Sequence, residues 1–224
     1  MNNFGTLYVI ATPIGNLKDI TLRALEVLKN VDLIACEDTR VTQKLLRHYN
    51  IQKPLISYHQ HSSRQRENYL KDLLTQGKNI ALVTDSGTPG ISDPGNKLVG
   101  ELVKDGFLSI PIPGPSALTA LVSVAGIDMQ RFAFMGFPPH KKGRETFFRE
   151  ISVLRHPVLY YESPHRLLKN LELLNRMETK KNVIVGRELT KMFEEIVRGS
   201  IEEVQRYFSE KKGEIKGELA IIIF

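Results

Sequence analysis

A single cysteine, Cys36, stands in a chain of 224 residues. That excludes an internal disulfide framework and a multi-cysteine zinc site. Placed at the end of an apolar run, Cys36 reads as a core residue rather than a nucleophile. The histidines His48, His59, His61, His140, His156 and His165 show no strong ligand spacing. The nearest, His59-x-His61, reads as a solvated pair, so no metal centre is expected. No apolar run approaches the roughly 18 residues of a membrane span. The opening Met1-Asn2-Asn3-Phe4-Gly5 has no charged region followed by an apolar one, so no secretory signal is read there. A cytoplasmic protein without a membrane partner is the expectation. Also missing are a Gly-x-x-x-x-Gly-Lys-Ser/Thr phosphate loop, a Gly-x-Gly-x-x-Gly fingerprint after the first strand and a Gly-x-Ser-x-Gly nucleophile elbow.

The residues that are present can build a substantial core. Hydrophobic residues make up 42% of the chain, and the mean hydropathy of -0.19 is that of a soluble protein. Its length fits one large domain or two small ones. The net charge is +6, with 13 Lys and Arg against 11 Asp and Glu up to Ile112 and 18 against 14 from Pro113 onward. A basic surface suits nucleic acid, or any anionic substrate.

Apolar runs and turn signals predict strands at 7–11, 31–36, 55–58, 79–83 and 108–112, separated by helices at 21–30, 41–49, 65–76 and 96–105. This βα alternation argues a parallel or mostly parallel sheet. The second half reads differently. Strands are predicted at 131–137, 158–161, 182–188, 193–200 and 218–224, the third and fourth as a hairpin. Helices are predicted from Ser116, an N-cap, to 125, and at 144–155, 166–176 and 201–210. These strands look mixed or antiparallel. Two α/β domains, 1–112 and 113–224, are expected.

Loops rich in Gly and Pro follow strands at 12–16, 85–95 and 113–116. The longest is Asp85-Ser86-Gly87-Thr88-Pro89-Gly90-Ile91-Ser92-Asp93-Pro94-Gly95. Its glycines allow sharp turns or close approach to a ligand, and Pro89 and Pro94 fix the backbone locally. Asp85 and Asp93 can accept hydrogen bonds from hydroxyls or amines. A loop at the carboxyl end of a parallel strand is where open α/β sheets bind ligands. Backbone groups and a carboxylate suit an adenine, a ribose diol and a small zwitterion. They suit a triphosphate less, since no loop lysine would meet it. A plain connecting turn remains the alternative.

Several motifs occur in order: Thr12-Pro13-Ile14-Gly15-Asn16-Leu17, Glu37-Asp38-Thr39-Arg40, the 85–95 loop and Pro113-Gly114-Pro115-Ser116-Ala117. Gly136-Phe137-Pro138-Pro139, Glu162-Ser163-Pro164-His165-Arg166, Arg187-Glu188-Leu189-Thr190-Lys191 and the terminal Gly217-Glu218 strand continue the series. Together they resemble the tetrapyrrole methylase superfamily, in its bacterial branch that 2'-O-methylates a cytidine ribose of 16S ribosomal RNA. The resemblance implies two α/β domains, a mainly parallel N-terminal sheet and a mixed C-terminal one, with S-adenosylmethionine bound in a cleft between them. It also implies a homodimer acting on 16S rRNA in the small ribosomal subunit. The methyl donor is then expected at Pro13, at Asp85, Ser86, Gly87, Gly90, Ile91 and Ser92, at Ser116 and Ala117, at Tyr161, and at Gly217 and Glu218. The residue-level reading proposes the first three of these regions on its own.

The implied reaction is an in-line displacement by a ribose hydroxyl on a sulfonium methyl, in which alignment is the enzyme's main task. Glu37, Asp38, Arg40 and Glu162 are candidates for the acceptor side, with capping and ion pairing as the alternative for the first three. RNA needs phosphate contacts. Lys141, Lys142, Arg144 and Arg149 form the best basic segment, with Arg64, Arg66, His165 and Arg166 secondary. Two other readings stay open: C-methylation of a tetrapyrrole, and a non-catalytic RNA-binding module.

Overall fold

A computed structural model describes residues 4–59, 62–93, 95–177, 179–211 and 213–224. His61 of the histidine pair and Pro94 of the long loop lie outside the described residues. The chain forms two compact units, Met1–Ser116 and Ala117–Phe224.

In the first unit, β1 (Thr6–Ile10), α1 (Leu22–Asn30), β2 (Leu33–Cys36), α2 (Thr39–His48) and β3 (Leu55–Ser57) are followed by α3 (Arg64–Thr75), β4 (Ile80–Val83), α4 (Asn96–Lys104) and β5 (Leu108–Ile112). The five strands are all parallel, in the order β3-β2-β4-β1-β5. Strand periodicity sorts the side chains into two layers. Ala81 and Val83 of β4 pack with Ala24 and Leu28 of α1 and Leu45 and Leu46 of α2. Ile80 and Leu82 pack on the opposite face with Leu70 and Leu74 of α3 and Leu98 and Leu102 of α4. A fully buried Leu or Ile contributes about 1.5–3 kcal/mol, so the β4 run, apolar on both faces, anchors the sheet. The helix α2 starts at Thr39, two residues before the sequence pattern predicts, because the Asp38 side chain caps it by accepting from the Arg40 N–H. A 3-10 turn at Leu17–Asp19 carries no periodic signal in the sequence.

The second unit contains α5 (Ala117–Ser123), β6 (Ala133–Phe134), α6 (Arg144–Val153), β7 (Val158–Glu162) and α7 (Pro164–Asn175). They are followed by β8 (Asn182–Arg187), β9 (Glu195–Ser200), α8 (Ile201–Glu210) and β10 (Leu219–Ile223). Its sheet runs β6-β7-β10-β8-β9, with only β6 and β7 parallel. The last strand in sequence therefore lies in the middle. Its Leu-Ala-Ile-Ile-Ile run is buried throughout, as a strand covered on both faces requires. Helices α6, α7 and α8 pack Phe148, Leu171 and Phe208 onto one face. β6 is shorter than its apolar pattern predicts. Its paired register with β7 ends at Phe134; Met135 and Gly136 still bond to Leu159 and Tyr161 of β7, and the chain then turns away where Gly136 takes a φ of +63° and two prolines follow.

Candidate active site

The carboxyl ends of β1, β2, β4 and β5 lie along one edge of the first sheet. The chain leaves β1 and β2 toward the α1 and α2 layer, but leaves β4 toward the α3 and α4 layer. Neighbouring strands whose connections diverge to opposite faces open a crevice at their carboxyl ends, where ligands bind in such sheets. β4 sits between β1 and β2, so the 85–95 loop rises at that point.

The loops there are tied together. The N–H of Thr12 donates to the Gly87 carbonyl at 2.9 Å and the N–H of Gly87 returns a bond to the Thr12 carbonyl at 3.0 Å. The Thr12 hydroxyl donates to the Thr84 carbonyl at 3.0 Å, and the Thr88 hydroxyl to that of Pro115 at 3.1 Å. Gly87 makes its exchange at a φ of +83°, which a side-chain-bearing residue adopts only at a cost. Asn96 donates to the Gly90 carbonyl at 2.9 Å, closing the far side of the loop. The predicted donor residues Pro13, Ser86, Gly87, Gly90, Ile91 and Ser92 thus belong to stitched loops. Pro13 and Gly87 are buried, Ser86, Gly90 and Ile91 half-buried, and Ser92 is exposed with a φ of +64°. Ser116 is buried at the end of this unit, and Ala117 opens α5 of the next.

Three carboxylates gather beside these loops. An Asp85 oxygen accepts from the Asp38 N–H at 2.9 Å. Burial pushes the Asp85 carboxyl above its ordinary value, against that same bond. Burial, and then the charge of Asp85, push Glu37 upward too. Asp38 behaves differently: its bonds to the Arg40 guanidinium and N–H hold it at about 2. Arg40 is thereby occupied, its guanidinium 2.5 Å from Asp38. Cys36, fully buried just before them, has its thiol pushed up by burial, which suits packing rather than nucleophilic chemistry. Carboxylates and glycine-rich backbone, with no Lys or Arg in 12–16, 84–95 or 113–116, fit a donor carrying a sulfonium, an ammonium and a ribose diol.

In the second unit, Leu219 at the start of β10 is in register with both Glu162, ending β7, and Arg187, ending β8. Tyr161, Gly217 and Glu218 therefore gather at one end of that sheet. Tyr161 is half-buried between the rings of Phe134 and Phe137, at 5.1 and 5.4 Å. Glu162 is inside: it accepts from the Ser163 N–H at 2.7 Å, from Arg166 at 2.8 Å and from the Asn170 amide. Burial pushes its carboxyl up and these partners draw it part of the way back. Arg166 also donates to the Pro138 carbonyl at 3.1 Å, so its guanidinium braces the 136–139 turn and is mostly shielded from solvent.

The remaining basic candidates are on the surface. Lys141 and Lys142 are exposed just before α6, and Arg144 begins that helix half-buried. Arg149 pairs with Glu145 one turn earlier, and His165 lies 3.4 Å from Glu214. Arg64 and Arg66 are exposed in the first turn of α3. Among the described residues no group of three His, Cys, Asp or Glu is placed to hold a metal, and no helix is long and apolar enough to cross a membrane. Sequence reasoning assigned no role to the turn 188–191, although it carries Lys191 between Glu188 and Glu218. The Arg187-to-Lys191 motif marked the place without marking the contact.

A profile described as Tetrapyrrole (Corrin/Porphyrin) Methylases matches residues 6–205. The chain is 44% identical over 220 residues to "Ribosomal RNA small subunit methyltransferase I" of Halalkalibacterium halodurans, covering 98% of this chain and 75% of that protein. To the protein of the same name from Thermotoga maritima it is 41% identical over 219 residues, covering 98% of each. Among solved structures it is similar to a cobalt precorrin-4 methyltransferase of cobalamin biosynthesis, with a TM-score of 0.71 at 17% identity and coverage of 97% and 94%. The uroporphyrin III C-methyl transferase of Thermus thermophilus gives a TM-score of 0.63 at 17% identity and coverage of 98% and 97%. At those identities the two structures bear on the fold.

Proposed function

Because the chain belongs to the tetrapyrrole (corrin/porphyrin) methylase family, we propose that it is an S-adenosylmethionine-dependent methyltransferase of small-subunit ribosomal RNA. The acceptor we propose is the 2'-hydroxyl of a cytidine ribose in 16S RNA, and the working form a cytoplasmic homodimer. The observation that carries the substrate is similarity over nearly the whole chain to proteins named for ribosomal RNA, against distant fold likeness to the tetrapyrrole enzymes.

S-adenosylmethionine supplies a methyl group already activated by its sulfonium sulfur. What the chain must do is align the attacking oxygen with it, exclude competing water and accept or offset the hydroxyl proton. We assign Pro13, Asp85, Ser86, Gly87, Gly90, Ile91, Ser92, Ser116, Ala117, Tyr161, Gly217 and Glu218 to the donor. The glycine-rich loops offer backbone groups, and the half-buried Asp85 carboxylate offers lone pairs beyond the one used by Asp38. Among the candidates for proton acceptor, Glu37 is favoured, since burial and Asp85 raise its basicity. Asp38 caps a helix and pairs with Arg40, and Glu162 already accepts from three partners. Lys141, Lys142 and Arg144 are our first choice for RNA phosphates, followed by Arg64, Arg66, Arg149 and His165. Arg166 we assign to holding the neighbouring turn.

The test is methyl transfer from labelled donor to 30S subunits, naked 16S RNA and a porphyrinoid precursor in parallel. Label in RNA is expected. Label on the porphyrinoid alone would assign the tetrapyrrole reaction instead, and failure to bind S-adenosylmethionine in calorimetry would leave a non-catalytic RNA-binding module.

A further inference from the structure

The turn after β8 is strained in a way that closing a hairpin does not require. Glu188 has a φ of +52° and Thr190 a φ of +67°. Neither is a residue that favours the left-handed region, and for a β-branched threonine the conformation is a genuine outlier. Such positions carry a backbone cost and persist where the surroundings fix them, often at functional sites. The Thr190 hydroxyl is also buried without a hydrogen-bond partner among the described residues. The exposed tip of the hairpin is elsewhere, at Met192 and Phe193. The strained half is the half that faces the start of β10.

The contacts across that junction are dense. The Glu188 N–H donates to the Glu218 carbonyl at 2.9 Å, and the Glu218 N–H donates to the Glu188 carboxylate at 3.1 Å. The Lys191 ammonium lies 2.8 Å from Glu188 and 3.1 Å from Glu218, holding the two carboxylates together. Gly217 lies under the same carboxylate at a φ of +95°; a Cβ there would sit 2.3 Å from the Glu188 side chain, so only glycine fits. By register, this junction shares the end of the sheet with Tyr161.

We propose that Lys191 is a positioning residue of the donor site: by clamping Glu188 to Glu218 it fixes the backbone at Gly217 and Glu218 against which S-adenosylmethionine binds. This rests on the assignment of Gly217 and Glu218 to the donor. A left-handed turn that only reversed the chain would gain nothing from a lysine joined to a carboxylate 27 residues further on, just before β10. The clamp acts on the donor and not on RNA, so its loss should separate the two affinities.

The experiment measures S-adenosylmethionine affinity by calorimetry, RNA affinity by filter binding with a 16S fragment, and the thermal midpoint, all on the full chain. Lys191→Met keeps the aliphatic stem and removes the charge. It should weaken donor binding about tenfold and raise the donor KM, with kcat at saturating donor and RNA affinity within twofold of wild type. Lys191→Arg should recover part of the donor affinity. Glu218→Gln, at an exposed carboxylate, removes half of the clamp without threatening folding and should weaken donor binding by about threefold. Wild-type donor affinity in Lys191→Met overturns the proposal, and if that variant fails to fold, wild-type affinity in Glu218→Gln overturns it. Asp85→Ala is measured alongside. If it loses donor affinity while the clamp variants do not, the donor reading stands and the clamp falls. If wild type itself binds no donor, the donor reading falls.

Discussion

The carboxylate of Asp85 accepts a hydrogen bond from the backbone N–H of Asp38 at 2.9 Å, joining the exits of two adjacent parallel strands. The bond fixes where Asp85 points and sets Glu37 beside it in the same half-buried surroundings. The 85–95 loop and the 37–40 segment are therefore joined mechanically. Asp85→Ala should weaken S-adenosylmethionine binding by at least about tenfold, the range for losing a hydrogen bond to a charged group. Asp85→Asn should weaken it less, since the amide oxygen still accepts from Asp38. Because burial raises the Asp85 carboxyl and the ligand is cationic, affinity should fall as pH drops through a value above aspartate's ordinary one. Calorimetry across pH checks both statements; a flat profile would remove Asp85 from the donor contact.

Glu162 and Arg166 form a buried pair, and removing one partner strands the other. Glu162→Ala should destabilise the fold by about 3–5 kcal/mol. Glu162→Gln, which still accepts from Ser163, should cost less and leave kcat within a few-fold. Denaturant unfolding and steady-state rates distinguish this from a catalytic role, for which Glu162→Gln would abolish turnover in a stable protein.

Glu195 accepts from Arg187 at 2.7 Å, from Lys211 at 2.6 Å and from the Tyr207 hydroxyl. Burial pushes its carboxyl up, but Lys211, Tyr207 and Arg187 more than offset this and hold it at about 2. A carboxyl lowered on folding stabilises the protein above its unfolded pKa, near 4.5, and loses that contribution as pH falls toward about 2. Glu195→Gln should therefore be about 2 kcal/mol less stable near neutrality. The gap should shrink with acidification through that window, which urea unfolding at a series of pH values will show.

Replacing Lys141, Lys142 and Arg144 together by alanine should weaken RNA binding and make its logarithmic salt dependence shallower by about 2, as three lost phosphate contacts require. S-adenosylmethionine affinity should not change. An unchanged salt slope would move the RNA surface to another face.

Much of this was legible in the chain. The runs at 80–83 and 219–223 are buried on both faces and so carry an unbroken apolar signal. The 85–95 loop announced itself by composition. The position of β10 inside its sheet was hidden, because it depends on pairing Leu219 with residues far away in sequence, Glu162 and Arg187. Charge alone could not separate Arg166, which braces a turn, from Lys141, which faces water. Nor could composition reveal the left-handed Glu188 and Thr190, since neither residue type signals that conformation.

The most direct measurement is nucleoside mass spectrometry of 16S RNA after reaction of 30S subunits with the protein and isotopically labelled S-adenosylmethionine. Label in 2'-O-methylcytidine at one position is expected. Label confined to bases, or none in the RNA while the donor is consumed on a tetrapyrrole, would contradict it.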